Sequence, residues 1–283
     1  MSERNIRIVT DSSSDMRELG GFPFESAALK IVTAEKEYID NLDLNVEEMV
    51  NDLLAYRGKS STSCPSIGDW LEAFGDADEV YCITITANLS GSYNSACVAA
   101  KEYEASHEGA RVFVINSRST GGEMVLVAER LVELIRSGLE FDKVCNEIMK
   151  YSHEQTGLLF MLESMQNLAN NGRVSHLAAK FAGVLGIRAV GKASVEGTLE
   201  MLDKCRGTHR AVETIFERMK SFGYAGGKVR ISHCINPDAA AKLETLVTAE
   251  YPKADIKTIT CRGLCSFYAE RGGMIVGFEM STN

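Results

Sequence analysis

The residues of this chain that offer most chemically are hydroxyls and glycines gathered where strands hand over to helices. One such segment is Asn88-Leu89-Ser90-Gly91-Ser92-Tyr93-Asn94-Ser95-Ala96. Gly91 lets the backbone come close to a ligand, the helix start presents free N–H groups, and Ser90 adds a hydroxyl. Together these predict an anion pocket at the carboxyl end of a strand, where open parallel sheets bind ligands. The alternative is a plain helix N-cap by Ser90 or Ser92. A second segment, Ser61-Thr62-Ser63-Cys64-Pro65-Ser66, places hydroxyls ahead of a helix. They supply donors to the same anion, or Ser66 simply caps that helix. No lysine or arginine lies between Thr62 and Ser95. A phosphate usually wants a cation beside it, so a site of neutral donors suits a carboxylate better.

A third segment, Asn170-Asn171-Gly172-Arg173-Val174-Ser175, reads as a turn. It enters a run of small and apolar residues from Leu177 to Ile187. That run is either a core or interdomain helix, or the wall of an apolar tunnel with few polar groups.

Other chemistries lack their motifs. There is no GxxxxGK[ST], and Gly226-Gly227-Lys228 precedes a strand rather than a helix. HExxH is missing, and Ser90 has no GxSxG elbow around it. His107, His153, His176, His209 and His233 are scattered, so none is assigned as a base. Cys261 and Cys265 with His233-Cys234 are a weak metal set without a second paired motif. Cys64, beside the predicted pocket, is the first candidate for a reactive thiol.

The elements that must position these groups alternate through the first half. Strands are predicted at Ile6–Thr10, Ala27–Thr33, Val80–Ile85 and Arg111–Ile115. Helices are predicted at Val46–Tyr56, Ile67–Phe74, from Ser90 onward and at Gly122–Ile135. That is the pattern of a parallel sheet wrapped by helices. Near residue 156 the periodicity resets. Strands follow at Leu158–Leu162, Lys228–Ser232, Asp255–Thr260 and Met274–Met280, with helices at Thr208–Lys220 and Pro237–Glu250. Glu196-Gly197 between two apolar runs signals a hairpin, so this sheet is expected to be mixed. The prediction is an α/β protein of two domains, 1–156 and 157–283. The first is a parallel three-layer αβα unit, the second a mixed α/β unit, and the ligand lies between them.

Composition sets the outer limits. The chain has 283 residues, of which 45% are hydrophobic and 24% charged, ordinary values for a globular protein. A net charge of −9 argues against nucleic acid or an anionic membrane as the main partner. The uncharged stretch Val80 to Ala100 is nominally long enough to span a bilayer. Its Thr, Asn and Ser side chains exclude that, because hydrocarbon offers them no hydrogen bonds. The start of the chain has no apolar core ahead of a small-residue cleavage site, which predicts a cytoplasmic protein. Its eight cysteines are then read mostly as small buried hydrophobes.

Four motifs, in order and spacing, resemble the DegV family. They are Val9-Thr10-Asp11-Ser12-Ser13-Ser14-Asp15, Thr62-Ser63-Cys64-Pro65-Ser66, Leu89-Ser90-Gly91-Ser92-Tyr93-Asn94-Ser95-Ala96, and Asn171-Gly172-Arg173-Val174-Ser175. The resemblance runs from Ile6 to Met280. It implies a bacterial fatty-acid-binding protein that buries one long-chain fatty acid between two α/β domains. It also implies presentation of the carboxylate to a separate fatty acid kinase, which makes an acyl-phosphate, while the carrier itself is no catalyst and needs no metal or cofactor. By the same resemblance Thr62 and Ser90 bind the carboxylate, with Ser63 and Gly91 close by. Arg173 matches the arginine of a glycine–arginine turn, and Arg206 a basic position on the kinase-facing surface. Three positions depart from the family pattern. Cys64 stands for a usual glutamine and Asn116 for a usual aspartate, while Thr260-Cys261-Arg262-Gly263 replaces a histidine-containing turn near the head group. The competing reading is a hydrolase or transferase with Ser90 or Cys64 as nucleophile. A further one is a regulatory module whose cleft no longer holds lipid.

Overall fold

The structure, a computed structural model, describes residues 4–175 and 186–281. Of the small-residue run expected from Leu177 to Ile187, residues 177–185 lie outside the described residues, as does His176, and Ile187 opens a strand rather than closing a helix.

In the first half, β1 (Ile6–Asp11), β2 (Phe24–Ala27), β6 (Glu79–Thr84) and β7 (Arg111–Asn116) form a parallel sheet in the order β2-β1-β6-β7. Helices α2 (Ile67–Phe74) and α3 (Ser92–Ser106) pack on one face around Trp70, Phe74 and Tyr103. Helices α4 (Gly122–Arg136) and α5 (Phe141–Glu154) cover the other, with Met124, Leu131 and Ile148 fully buried. The strand expected over Ala27–Thr33 is divided. The Ser12 hydroxyl accepts the Leu29 N–H at 3.0 Å, which removes that donor from any ladder. Beyond the break, β3 (Lys30–Val32) belongs to a small antiparallel sheet with β4 (Glu37–Ile39) and β5 (Ser61–Ser63). The polar segment around Thr62 is therefore a short strand, with Thr62 paired to Ile31. Helix α1 (Val46–Ala55) lies between β4 and β5 in the chain.

The second half builds a six-stranded mixed sheet. Its order is β10 (Leu199–Arg206), β9 (Ile187–Ala193), β8 (Thr156–Leu162), β13 (Met274–Glu279), β11 (Val229–His233) and β12 (Ile256–Thr260). Only the β11–β12 pair is parallel. The hairpin signal at Glu196-Gly197 is realised as the β9–β10 turn, in which the Ser194 N–H donates to Thr198 O at 2.8 Å. Helices α7 (Thr208–Ser221) and α8 (Pro237–Glu250) bury one face of this sheet. Two short helices, α6 (Gln166–Asn170) and α9 (Gly263–Ala269), lie with its other face.

Glycine joins the halves. A Cβ on Gly277 of β13 would lie 2.3 Å from the Glu123 nitrogen, and one on Gly122 would lie 2.1 Å from the Arg230 carbonyl oxygen. Only residues without side chains let α4 rest directly on β13 and β11. A second tie is the Thr260–Gly263 turn, where the Arg262 N–H donates to Asp15 Oδ1 at 2.7 Å. The Arg262 guanidinium, 1% exposed as a residue, donates to Met16 O at 3.0 Å and Ser26 Oγ at 2.9 Å. Asp40 accepts the first N–H groups of α9, from Gly263 at 2.7 Å and Leu264 at 2.8 Å.

Candidate functional site

The site is anchored by a carboxylate that never reaches it. Asp11, at the end of β1, is completely buried. Its Oδ2 accepts the Ile85 N–H at 2.9 Å and the Ser92 hydroxyl at 2.6 Å, while Oδ1 accepts the Ser13 N–H at 3.2 Å. Burial raises the Asp11 pKa, and its hydrogen bonds to Ser13, Ser92 and Ile85 oppose that rise. One side chain thereby holds the loop from β6 to α3 at both ends. Ser92 is spent on Asp11, and the Ser90 hydroxyl accepts the Ser92 N–H at 3.2 Å. Helix α3 has Gly91 as its N-cap, with no side-chain cap. Gly91 abuts Cys64, whose sulfur would lie 3.3 Å from a Cβ at that position. On the other approach Ser66 caps α2, as the plain reading of that segment had it: its hydroxyl accepts the Asp69 N–H at 3.2 Å and its own N–H donates to Asp69 Oδ2 at 2.7 Å.

Between the two large sheets lies a cavity of about 840 Å³, counting the solvent at its mouth. Its walls are mostly apolar: Leu29, Ile85, Leu89, Leu158, Phe160, Leu162, Leu168, Leu199, Leu264 and Ile275. Thr62, Ser90, Arg173 and Tyr268 supply polar groups to the same lining. Thr62 Oγ1 and the Tyr268 hydroxyl lie 2.8 Å apart in a hydrogen bond. Arg173 Nε donates to Leu89 O at 3.1 Å, and its Nη1 donates to Asn171 O. The guanidinium is thus fixed against the Ser90 loop, which adds the cation that the 62–95 stretch itself lacks. An apolar hollow with a few converging polar groups can bury a hydrocarbon tail and hold an oxygen-bearing head.

The other predicted positions are distributed differently. Ser63 and Gly91 are exposed neighbours of Thr62 and Ser90 and are not part of the lining. Arg206 is exposed at the end of β10, away from the cavity. Cys261 is 1% exposed and packs in the core under the lining, whereas Cys265, one turn on, reaches the cavity. Burial pushes both thiols up. Asn116 Oδ1 accepts the Ala87 N–H at 3.0 Å and the Arg118 N–H at 3.2 Å, so it shapes the loops rather than the pocket. Among the described residues no cluster of His, Cys, Asp and Glu has a metal-holding arrangement. Nor is any helix among them long and apolar enough to cross a membrane. Tyr268, Arg118, Thr120 and Thr198 line the cavity without having been picked out from sequence. Tyr268 lies on α9, whose few residues carry too little periodicity to be read.

Residues 5–280 match the profile described as an uncharacterised protein of the DegV family. The chain belongs to the DegV family. A DegV domain-containing protein from Streptococcus gordonii is 42% identical over 278 residues, covering 97% of this chain and 99% of that one. Among solved structures, a DegV family protein from Eubacterium eligens loaded with heptadecanoic acid superposes with a TM-score of 0.95 at 42% identity. The alignment covers 98% of this chain and all of that one. The Streptococcus pneumoniae Fatty Acid Kinase (Fak) B3 protein loaded with linoleic acid gives the same TM-score at 39% identity, with the same coverage. The two-domain α/β architecture expected from the sequence is that of these DegV structures.

Proposed function

We propose that this protein is a cytoplasmic carrier of one long-chain fatty acid, with units 1–156 and 157–283 closing on the acyl chain. The tail lies in the apolar cavity, and the carboxylate is held by Thr62 and Ser90, with Arg173 beside them. The carrier then offers that carboxylate to a separate fatty acid kinase and performs no chemistry itself. Ser63 and Gly91 flank the two carboxylate-binding residues, and Arg206 lies on the surface that meets the kinase. The observation carrying this reading is the join of an apolar hollow to hydroxyls and one guanidinium, in a fold whose close structural relatives were crystallised with fatty acids.

Magnitudes assign the roles. Burying some 14 methylenes at about 0.8 kcal/mol each contributes roughly 11 kcal/mol. A hydrogen bond to the charged carboxylate adds only about 1.5–3 kcal/mol. The tail sets affinity and the polar end sets orientation. A nucleophilic enzyme fits less well. Of the described histidines, His107 stacks on Tyr103, His209 faces Glu213, His153 meets Asn116 and His233 accepts from Asn236, and none lines the cavity. Burial raises the Cys64 thiol, away from the reactive thiolate.

Solvent extraction of the purified protein followed by mass spectrometry tests the proposal. A long-chain fatty acid at about one per chain is expected. Protein that yields none, and after refolding takes up none, is not such a carrier.

A further inference from the structure

Tyr268 lines the cavity and is bonded to Thr62, yet the carrier reading gives it no task. Its ring is fixed in place. It stands edge-on to Phe267, with centroids 4.8 Å apart at 71°, and packs against the apolar group of Leu29, Ile85 and Leu264. Among the described residues its hydroxyl has one hydrogen-bond partner, Thr62 Oγ1 at 2.8 Å. Thr62 is fixed in turn by the pairing of β5 with β3. Both residues are half-buried, as is Ser90, so a ligand in the cavity can meet these hydroxyls.

The direction of the Tyr268–Thr62 bond decides what the pair can offer. Two hydroxyls bring two protons, and the bond between them uses one. A phenol is a stronger acid and a poorer base than an alkyl hydroxyl, so Tyr268 donates and Thr62 accepts. Burial raises the phenol's pKa, with the Thr62 bond and the charge of Arg173 opposing the rise, so the phenol holds the proton it donates. Thr62 keeps its own proton, and an oxygen that already receives a hydrogen bond gives its proton more strongly and accepts a second one less well. Ser90 is in the same condition, its oxygen receiving the Ser92 N–H at 3.2 Å. Leu89 O, the carbonyl next to Ser90 in the chain, is taken by Arg173 Nε at 3.1 Å, and Asn171 O by Nη1 of the same guanidinium.

The polar end of the cavity therefore presents protons and keeps its oxygens engaged. An ionised carboxylate, which only accepts, fits such a set. A head group that carries its own proton finds no open acceptor among these four residues. We propose that Tyr268 is a specificity-determining residue: by donating to Thr62 it turns this end of the cavity toward an acceptor-only head group, and against lipids of the same chain ending in an alcohol or an amide. The inference rests on the carrier reading above and adds to it the residue that selects the head group.

The test uses the full chain stripped of lipid and compares hexadecanoic acid with hexadecan-1-ol by competition at about pH 8, where the acid is ionised. The wild type should prefer the acid by about thirtyfold, since the alcohol's proton is left without an acceptor. Tyr268→Phe keeps the ring and removes the proton that occupies Thr62, so the preference should fall about tenfold. Thr62→Val, which removes the receiving oxygen and its proton, should lower the preference at least as far. A residue that merely packs would weaken acid and alcohol alike and leave their ratio where it was. A ratio that Tyr268→Phe leaves within about twofold of the wild type overturns the inference, as does a wild type that binds acid and alcohol equally. Failure of the wild type to bind hexadecanoic acid at all would remove the carrier reading itself, so the two failures are distinguishable.

Discussion

Ser90 faces the cavity because its neighbours are already engaged. Ser92 serves Asp11, Ser95 donates to Pro65 O at 2.8 Å, and Asn88 reaches Glu196 O at 2.6 Å. Ser90, like Thr86 in the same loop, lines the cavity and only accepts, here from Ser92 N–H, so its own O–H is left to donate inward. On the proposed function, removing that hydroxyl costs the bound carboxylate one donor. Ser90→Ala should therefore weaken fatty acid binding by about 1.5–3 kcal/mol, a small share of what the tail contributes. Phosphorylation of the bound acid by a fatty acid kinase should fall far more steeply, since a carboxylate displaced by about an ångström is poorly presented. Kinase assays at saturating carrier, run beside a direct binding titration, separate the two effects. Equal losses in both would argue that Ser90 binds but does not orient. The serine was legible because a glycine and a strand end flank it. Its dependence on Asp11 was not, since that bond links positions 81 residues apart.

Elements were read well where periodicity is long and poorly where tertiary contacts decide. Helices α4 and α8 lie close to their predicted bounds, and the β9–β10 hairpin follows from its turn residues. Strand β5 has no strand pattern in the sequence, because three hydroxyl residues acquire strand form only by pairing with β3. Helix α9 was missed altogether. Its start is fixed by Asp40, a residue more than two hundred positions earlier, which no local pattern reveals. The close approach of α4 to β13 is similarly invisible, yet it has a sharp consequence. Gly277→Ala would set a methyl 2.3 Å from the Glu123 backbone nitrogen, where no flexible side chain can yield. The helix must move off the strand, and overpacking of this kind costs about 1–3 kcal/mol. Urea denaturation should show that loss, together with faster release of bound fatty acid, because α4 begins beside the Ser119 and Thr120 wall of the cavity. A variant as stable and as retentive as the parent would mean that the sheet and helix part without effect.

At the scale of the whole molecule, the halves meet through buried carboxyls whose protons depend on that meeting. Asp15 takes a hydrogen bond from Arg262 N–H on Oδ1, and its Oδ2 is buried without a partner. Burial raises its pKa from 3.8 to about 7, with the nearby Asp40 adding to the rise. Glu123, wedged between Ser119 and Thr156, the first residue of β8, is likewise raised by burial, from 4.5 to about 7. In the unfolded chain both ionise once the pH passes about 4. The folded chain keeps both protons until about 7, so between those values it binds more protons than the unfolded chain. Stability contributed by these groups is full below about pH 4, falls as pH rises toward 7, and is gone above it. The salt-bridged carboxyls of Asp203 and Asp255, whose pKa values are lowered, act in the opposite sense and in the more acidic range. Asp15→Asn combined with Glu123→Gln removes the two protons from the balance while keeping a carbonyl acceptor at each place. Denaturant midpoints of the wild type should decline from about pH 5 to about pH 7.5, and the double variant should show a flatter profile over that window. A variant that declines as steeply as the wild type would mean that neither carboxyl holds its proton in the folded state. These two contacts tie α4 and the first residues of the chain to the large mixed sheet, so on the proposed carrier function retention of bound fatty acid should follow the stability profile, tighter at about pH 5 than at about pH 7.5.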